Sequence, residues 1–113
     1  MALFGEKSME HLVKAHKWDK LEKKASHGDT ALRAEIATLC GTSKDDEAYN
    51  LLIRLTSDPE KDVQLAAIKS LGEVGRESAI AHLQWLSSHI PEERTEEQKM
   101  IQQAMNKIKT RKD

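Results

Sequence analysis

Val63-Gln64-Leu65-Ala66-Ala67-Ile68-Lys69-Ser70-Leu71-Gly72, with Ala79-Ile80 and Leu83 after it, is the stretch that decides the fold. Its apolar residues recur at helical spacing on both sides of a glycine-containing turn, so it predicts a helix, a tight turn and a second helix. The same pattern occurs 31 residues earlier, at Leu32-Arg33, Ile36, Cys40-Gly41, Tyr49 and Leu52. A recurrence at this interval indicates a protein built from stacked helical repeats.

Helix-start and helix-end signals divide the chain into seven short helices. Four positions are predicted to cap helix N-termini: Ser8, Asp29 (or Thr30), Ser43 and Asp58. Gly72 and Gly75 bracket one predicted turn, and Thr95-Glu96-Glu97-Gln98 predicts a capping box at the start of the last helix. The predicted helices cover approximately 8–15, 17–26, 30–40, 44–56, 59–71, 76–88 and 95–109.

Short connections make successive helices antiparallel neighbours, an arrangement that both a bundle and a stack would satisfy. The stack is favoured because equivalent positions are refilled by similar residues at each step, as in the series Leu21, Leu52 and Leu83. The predicted fold is therefore all-α: one domain over 1–113, a right-handed α-α superhelix of about three antiparallel helix pairs plus a C-terminal capping helix.

Residues 58–87 resemble the HEAT-like repeat, particularly the short variety named for phycobilisome lyases. The matching positions are Asp58-Pro59, Val63, Ala66-Ala67, Leu71-Gly72, Ala79-Ile80 and Leu83. Gln64 stands where that repeat usually has an arginine, whereas the preceding unit keeps the arginine as Arg33. The resemblance implies an α-α superhelix that acts as a binding platform, and it does not imply chromophore lyase activity.

Composition limits the classes of partner. The 113 residues are 33% charged, 38% hydrophobic and 4% aromatic, and the net charge is −1, so no overall field attracts nucleic acid or an anionic membrane. No apolar run reaches the length of a membrane span or a signal-peptide core. The only cysteine, Cys40, cannot form an internal disulfide, which fits a reducing compartment, and we expect a cytoplasmic protein.

No catalytic motif emerges, so we expect no enzymatic activity, no cofactor and no metal site. Cys40 takes a core leucine position and should be a buried, protonated thiol. The five histidines lack the spacing of metal ligands: His11, His16, His27, His82 and His89. Acidic runs begin two helices, where negative charge suits the helix dipole, and their side chains are expected to be solvated: Asp45-Asp46-Glu47, Glu92-Glu93 and Glu96-Glu97.

The second helix of each pair carries the candidate binding residues. Steps of 31 residues place Lys20, Leu51 and His82 in one row, beside the inward stripe. The same steps place Lys23, Arg54 and Trp85 in the next row. Cations and a tryptophan on the concave side have the composition of a protein-interface hot spot. The alternative is that Trp85 packs under the last helix while the cations are merely solvated.

These observations predict a non-enzymatic protein-protein interaction module or scaffold whose concave surface is formed by the second helices. Its partner would be an unidentified protein, or a second copy bound through the apolar stripe of the last helix. The alternative function is nucleic-acid binding along a basic groove. Residues 29–91 carry six cations against ten anions, so the middle of the chain would repel nucleic acid.

Overall fold

The computed structural model describes residues 8–111, and that part of the chain contains α-helices and no β-strand. The helices are α1 (Met9–Lys14), α2 (Trp18–His27), α3 (Thr30–Cys40), α4 (Asp46–Leu55), α5 (Lys61–Val74), α6 (Ser78–His89) and α7 (Thr95–Thr110). The predicted all-α fold is confirmed. Most helix ends lie within two residues of their predicted positions, and the exceptions have identifiable causes.

Two of the predicted N-caps form as expected. The Ser8 hydroxyl accepts a hydrogen bond from the backbone N–H of His11 at 3.1 Å. The Asp29 carboxylate accepts one from the N–H of Leu32 at 2.8 Å. In both places a side-chain oxygen bonds a backbone donor that has no partner in the first turn, and this sets where α1 and α3 begin.

The α5 helix begins and ends later than predicted. The Asp58 carboxylate accepts a hydrogen bond from the backbone N–H of Glu60 at 2.9 Å. This bond closes a turn before the helix, and α5 therefore begins at Lys61. The helix then passes through Gly72 and stops at Gly75, whose φ of 79° is a left-handed conformation that suits glycine. Gly72 is thus a buried helix residue, and the prediction that it bounds the turn was wrong.

The predicted caps of α4 and α7 were also wrong. Ser43 accepts the N–H of Asp45 at 3.1 Å, within the loop that precedes α4. At α7 the Gln98 side chain does not fold back onto its own helix. It donates to the carbonyl oxygens of Ser87 and Ile90, both at 2.9 Å. Gln98 therefore attaches α7 to the end of α6 instead of completing a capping box.

The helices form two layers. We call α1, α3, α5 and α7 the first-helix layer, and the exposed surface of α2, α4 and α6 the second-helix face. Neighbouring helices contact each other most extensively within the first-helix layer, between α3 and α5 and between α5 and α7. The last helix therefore occupies the place of a further first helix, and α6 makes closer backbone contact with α7 than with α5.

Small residues permit this close packing. A Cβ atom added to Gly72 of α5 would lie 3.0 Å from Cα of Ala104 in α7. A Cβ added to Gly41 would lie 2.7 Å from the hydroxyl oxygen of Ser70, which itself donates to the Ala37 carbonyl at 2.7 Å. The series Leu21, Leu52 and Leu83 is fully buried between the layers, as the repeat pattern predicts.

An ion pair joins consecutive units. The Arg33 guanidinium donates from Nε to Oδ2 of Asp58 at 2.8 Å and from Nη2 to Oδ1 at 3.0 Å. Burial alone would raise the pKa of Asp58, but the hydrogen bonds from Arg33 and Glu60, with the attraction of Arg33, lower it below its ordinary value. Gln64 follows Arg33 by one repeat and donates instead to the Asp58 carbonyl at 2.6 Å.

The apolar stripe of α7 faces the core. Ile101, Ala104, Met105 and Ile108 are buried within the chain, and Met100 packs beside them, partly buried. The stripe therefore caps the stack. It is occupied by the core, as expected of a C-terminal capping helix, and a homo-oligomer formed through α7 stays a prediction.

Candidate functional site

The indole of Trp85 is the outstanding feature of the second-helix face. In α6 the side chains of Ala79, Leu83 and Leu86 point into the core, and Trp85 lies off this stripe. Its exposed fraction is 50%, and within residues 8–111 it is the one large hydrophobic side chain that is exposed. Trp85 therefore does not pack under α7, whereas the other part of the alternative, that the cations are merely solvated, stays open.

Two imidazole rings stack along α6 with this indole. The ring centroid of His89 lies 4.1 Å from that of Trp85 with an interplanar angle of 24°. The His82 ring lies 6.0 Å away on a nearly parallel plane at 16°. Residues three positions before and four positions after Trp85 share its side of the helix, which explains the arrangement. The rings hold the indole in place while part of it stays open to solvent.

Hydrogen bonds determine which nitrogen of each histidine carries the proton. Thr56 donates its hydroxyl proton to the Ile53 carbonyl at 2.6 Å, so Nε2 of His82, 2.8 Å from the same oxygen, must donate. Burial lowers the pKa of His82, which favours the neutral ring. His89 Nδ1 lies 2.8 Å from the Trp85 carbonyl and must also donate.

A groove lies between α2 and α4, which both contribute to the second-helix face. Its volume is about 330 Å³, and it is lined by Asp19, Glu22, Lys23, Ser26, His27 and Arg54. The guanidinium of Arg54 reaches across the groove to Ser26, with Nη2 3.5 Å from the hydroxyl oxygen. The groove therefore brings together Lys23 and Arg54, which the repeat spacing had placed in one row.

The other predicted row does not form. Leu51 is buried, with an exposed fraction of 2%, and it belongs to the core. Lys20 is exposed but lines a separate depression with His16, Lys17 and Glu47. His82 is half-buried and reaches the surface only beside Trp85. The prediction that Leu51 is a surface contact was wrong.

Sequence reasoning missed the roles of His27 and His89. Steps of 31 residues place both at the repeat position of Asp58, which indicates helix ends, and each is the last residue of its helix. His27 lines the groove, and His89 stacks on Trp85. The spacing of four residues between Trp85 and His89 was the signal that could have predicted their stacking.

The acidic start of α4 joins neighbouring units instead of lying free in solvent. Asp45 accepts hydrogen bonds from Nδ1 of His16 and, at 2.8 Å, from the indole of Trp18. These bonds, with that of His16 the strongest, lower the pKa of Asp45. The Asp46 carboxylate accepts a hydrogen bond from Nη2 of Arg76 at 2.7 Å. The expectation that this run is solvated was wrong for Asp45.

Glu97 is buried, although the acidic runs at helix starts were expected to be solvated. Its exposed fraction is 1%, and its carboxylate lies 2.7 Å from Nη2 of Arg94. The ion pair lies at the first turn of α7, where negative charge also suits the helix dipole. Glu97 is therefore a buried residue of the α7 N-terminus.

The thiol of Cys40 and the potential metal ligands were the other candidate reactive groups. Cys40 is fully buried, and burial raises the pKa of its thiol to about 12, so the thiol is protonated at neutral pH as predicted. Between Ser8 and Arg111, no three His, Cys, Asp or Glu side chains come together as a metal site would require. In the same range, no helix is long and apolar enough to cross a membrane.

Comparison with known proteins gives one match. A family model described as HEAT repeats matches residues 18–100, a range that runs from the start of α2 into α7 and takes in most of the chain. No curated protein matches the chain, and no solved structure matches it.

Proposed function

Because the chain belongs to the HEAT repeat family, we propose that it is a non-enzymatic module that binds another protein through its second-helix face. The proposed contacts, which we call the binding patch, are Lys23, Arg54, His82 and Trp85, with Lys20 as a flanking contact. Proteins of this repeat class generally act as interaction scaffolds, and the concave shape expected of the face remains a prediction.

The exposure of Trp85 is the observation that carries the proposal. A tryptophan costs little conformational entropy to hold in place and offers a large apolar area, which is why tryptophans are enriched among interface hot spots. Here the stacked rings of His82 and His89 already hold the indole. The partner would therefore meet a side chain whose position is set before binding.

The surroundings of Trp85 favour a protein partner over nucleic acid. Asp19 and Glu22 line the same groove as Lys23 and Arg54, so the charges of the groove are mixed. A continuous line of phosphates needs cations in register and would be repelled by these carboxylates. A protein surface with mixed charges is compatible with them.

The proposal is tested by capturing partners from an extract of the cells that make the protein. We expect the tagged wild-type chain to retain a set of proteins that Trp85→Ala loses and that Lys99→Ala, a control on the exposed side of α7, retains. A set unchanged by Trp85→Ala would contradict the proposal. Retention that disappears after nuclease treatment and falls steeply with salt would favour nucleic-acid binding instead.

A further inference from the structure

Arg54 differs from every other arginine in the described part of the chain. Arg33 pairs with Asp58, Arg76 with Asp46 and Arg94 with Glu97. Arg111 donates to the carbonyl oxygens of Glu73 and Val74. Within residues 8–111, Arg54 reaches neither a carboxylate nor a carbonyl, and its one hydrogen bond is the 3.5 Å contact with Ser26. Its guanidinium thus keeps nearly all of its donors for a ligand.

The groove around Arg54 adds further donors of the same kind. Lys23, Ser26 and His27 line it from α2, opposite Arg54 on α4. A guanidinium binds a carboxylate through two parallel N–H bonds, and a neighbouring ammonium and hydroxyl can bind the remaining lone pairs. The chemistry that this end of the groove recognises is therefore a carboxylate.

Asp19 and Glu22 limit how much negative charge the groove accepts. They line the same groove, on the same helix as Lys23. A single carboxylate paired with Arg54 brings one negative charge near them, whereas a dense polyanion would bring several and be repelled more strongly. The groove thus suits an acidic side chain within a protein segment.

A hydrogen bond connects the end of α4 to the aromatic stack. Thr56, two residues after Arg54, contacts His82 through a 2.8 Å hydrogen bond, and His82 stacks on Trp85. Adjacent helices of a packed layer lie about 10 Å apart, and an extended chain covers about 3.3 Å per residue. A segment that crosses from α4 to α6 would therefore move from Arg54 to Trp85 in about three or four residues.

We infer that the second-helix face binds an extended segment of a partner protein with an acidic side chain and an apolar side chain about three or four residues apart. The acidic side chain pairs with Arg54 in the groove between α2 and α4. The apolar side chain packs on the open part of Trp85. This inference rests on the proposed function and specifies the chemistry of its partner.

The test uses a displayed library of random short peptides selected on the intact wild-type protein. We expect the selected peptides to be enriched in Asp or Glu, with Leu, Ile, Phe or Trp about three or four positions away. A labelled peptide made from the selected pattern should bind in fluorescence anisotropy. Arg54→Gln and Trp85→Ala should each weaken that binding by about tenfold or more.

Two variants sharpen the assignment to Arg54. Arg54→Lys keeps the charge but not the paired N–H geometry, and we expect it to bind more weakly than wild type and more tightly than Arg54→Gln. Lys99→Gln removes an exposed cation of α7 and should bind as wild type does. Equal unfolding midpoints of all these variants establish that the comparison is made between folded proteins.

The outcomes separate this inference from the proposed function. Peptides that depend on Trp85 but show no acidic preference, or that bind Arg54→Gln as tightly as wild type, overturn the inference and leave the proposed function standing. The absence of any selected peptide also overturns it, because an extended segment should be selected from such a library. Binding that is insensitive to both Arg54 and Trp85 contradicts the inference and the proposed face together.

Discussion

The first-helix layer and the second-helix face use their residues in opposite ways. In the first-helix layer, Gly72 meets Ala104 and Gly41 meets Ser70 with no room for a further atom. On the second-helix face, Trp85 is half exposed, and within residues 8–111 the one hydrogen bond of the Arg54 side chain is that with Ser26. The first-helix layer therefore holds the stack together. The second-helix face carries large side chains that the fold does not require.

Two arginines in consecutive helices show the same difference. Arg33 in α3 makes two hydrogen bonds to the carboxylate of Asp58 and one to the Gly28 carbonyl. Arg54 in α4 faces a solvent-filled groove. The same residue type therefore serves as a structural link in the first-helix layer and as an open donor on the second-helix face.

Asp58→Ala should have the largest effect on stability. The variant leaves Arg33 without its carboxylate and the Glu60 N–H without its acceptor, so we expect the free energy of unfolding to fall by about 2–4 kcal/mol. Urea unfolding followed by circular dichroism measures it. Lys14→Ala, which removes an exposed ion pair with Glu10, is the control and should behave as wild type does. Equal losses of unfolding free energy in Asp58→Ala and Lys14→Ala would contradict the structural role of Asp58.

Low pH should weaken the ion pair between Arg33 and Asp58. The folded-state pKa of Asp58 is lowered, so its contribution is fully present above the unfolded-state pKa of about 3.9 and is lost as the pH falls through the lower folded-state value. Asp45 and Glu73, whose pKa values are also lowered, act in the same direction. We expect stability to fall below about pH 4, with a shallower fall in Asp58→Asn. An identical slope in that variant would contradict the assignment.

Gly72→Ala tests the close approach of α5 and α7. At an open helix position this change would stabilise by about 1 kcal/mol, because alanine is the better helix former. Here the new Cβ meets the backbone of Ala104, so we expect a net loss of about 1 kcal/mol in thermal or urea unfolding. Gln102→Ala, on the exposed side of α7, is the control. A stabilised Gly72→Ala protein would show that the two helices separate easily.

Arg54→Gln should have the smallest effect on stability. The side chain is exposed and has no charged partner between Ser8 and Arg111, so its removal should leave the urea midpoint within the error of wild type. A clear loss of stability would mean that Arg54 supports the stack, and the contrast with Asp58 would disappear.

The repeat pattern was sufficient to predict the stacked helices and their shared core, because equivalent positions such as Leu21, Leu52 and Leu83 carry the same packing demand. The repeat pattern failed where the burial of a side chain depends on the neighbouring helices. Leu51 is buried although Lys20, one repeat earlier, is exposed. Helix α4 packs on both α3 and α5 and buries four of its residues, whereas α2 buries three. Repeat spacing alone cannot express this difference.

Other errors depended on contacts distant in sequence. Gly72 was assigned to a turn because its role as a helix residue depends on Ala104, which arrives with α7. Gln98 was assigned to a capping box, but the end of α6 offers it two carbonyl oxygens. For the candidate site, the repeat spacing placed Lys23 and Arg54 in one row, and both line one groove. The groove and the histidine stack required the packed helices.

The most direct test of the account measures the stability and the binding of Trp85→Ala on the same preparation. We predict a loss of no more than about 1 kcal/mol in unfolding free energy, because the contacts removed are mainly the stacking with His82 and His89. We also predict that the variant loses the partners or selected peptides that wild type binds. A loss of several kcal/mol, as for a core tryptophan, or unchanged binding would contradict the claim that the second-helix face exists for recognition.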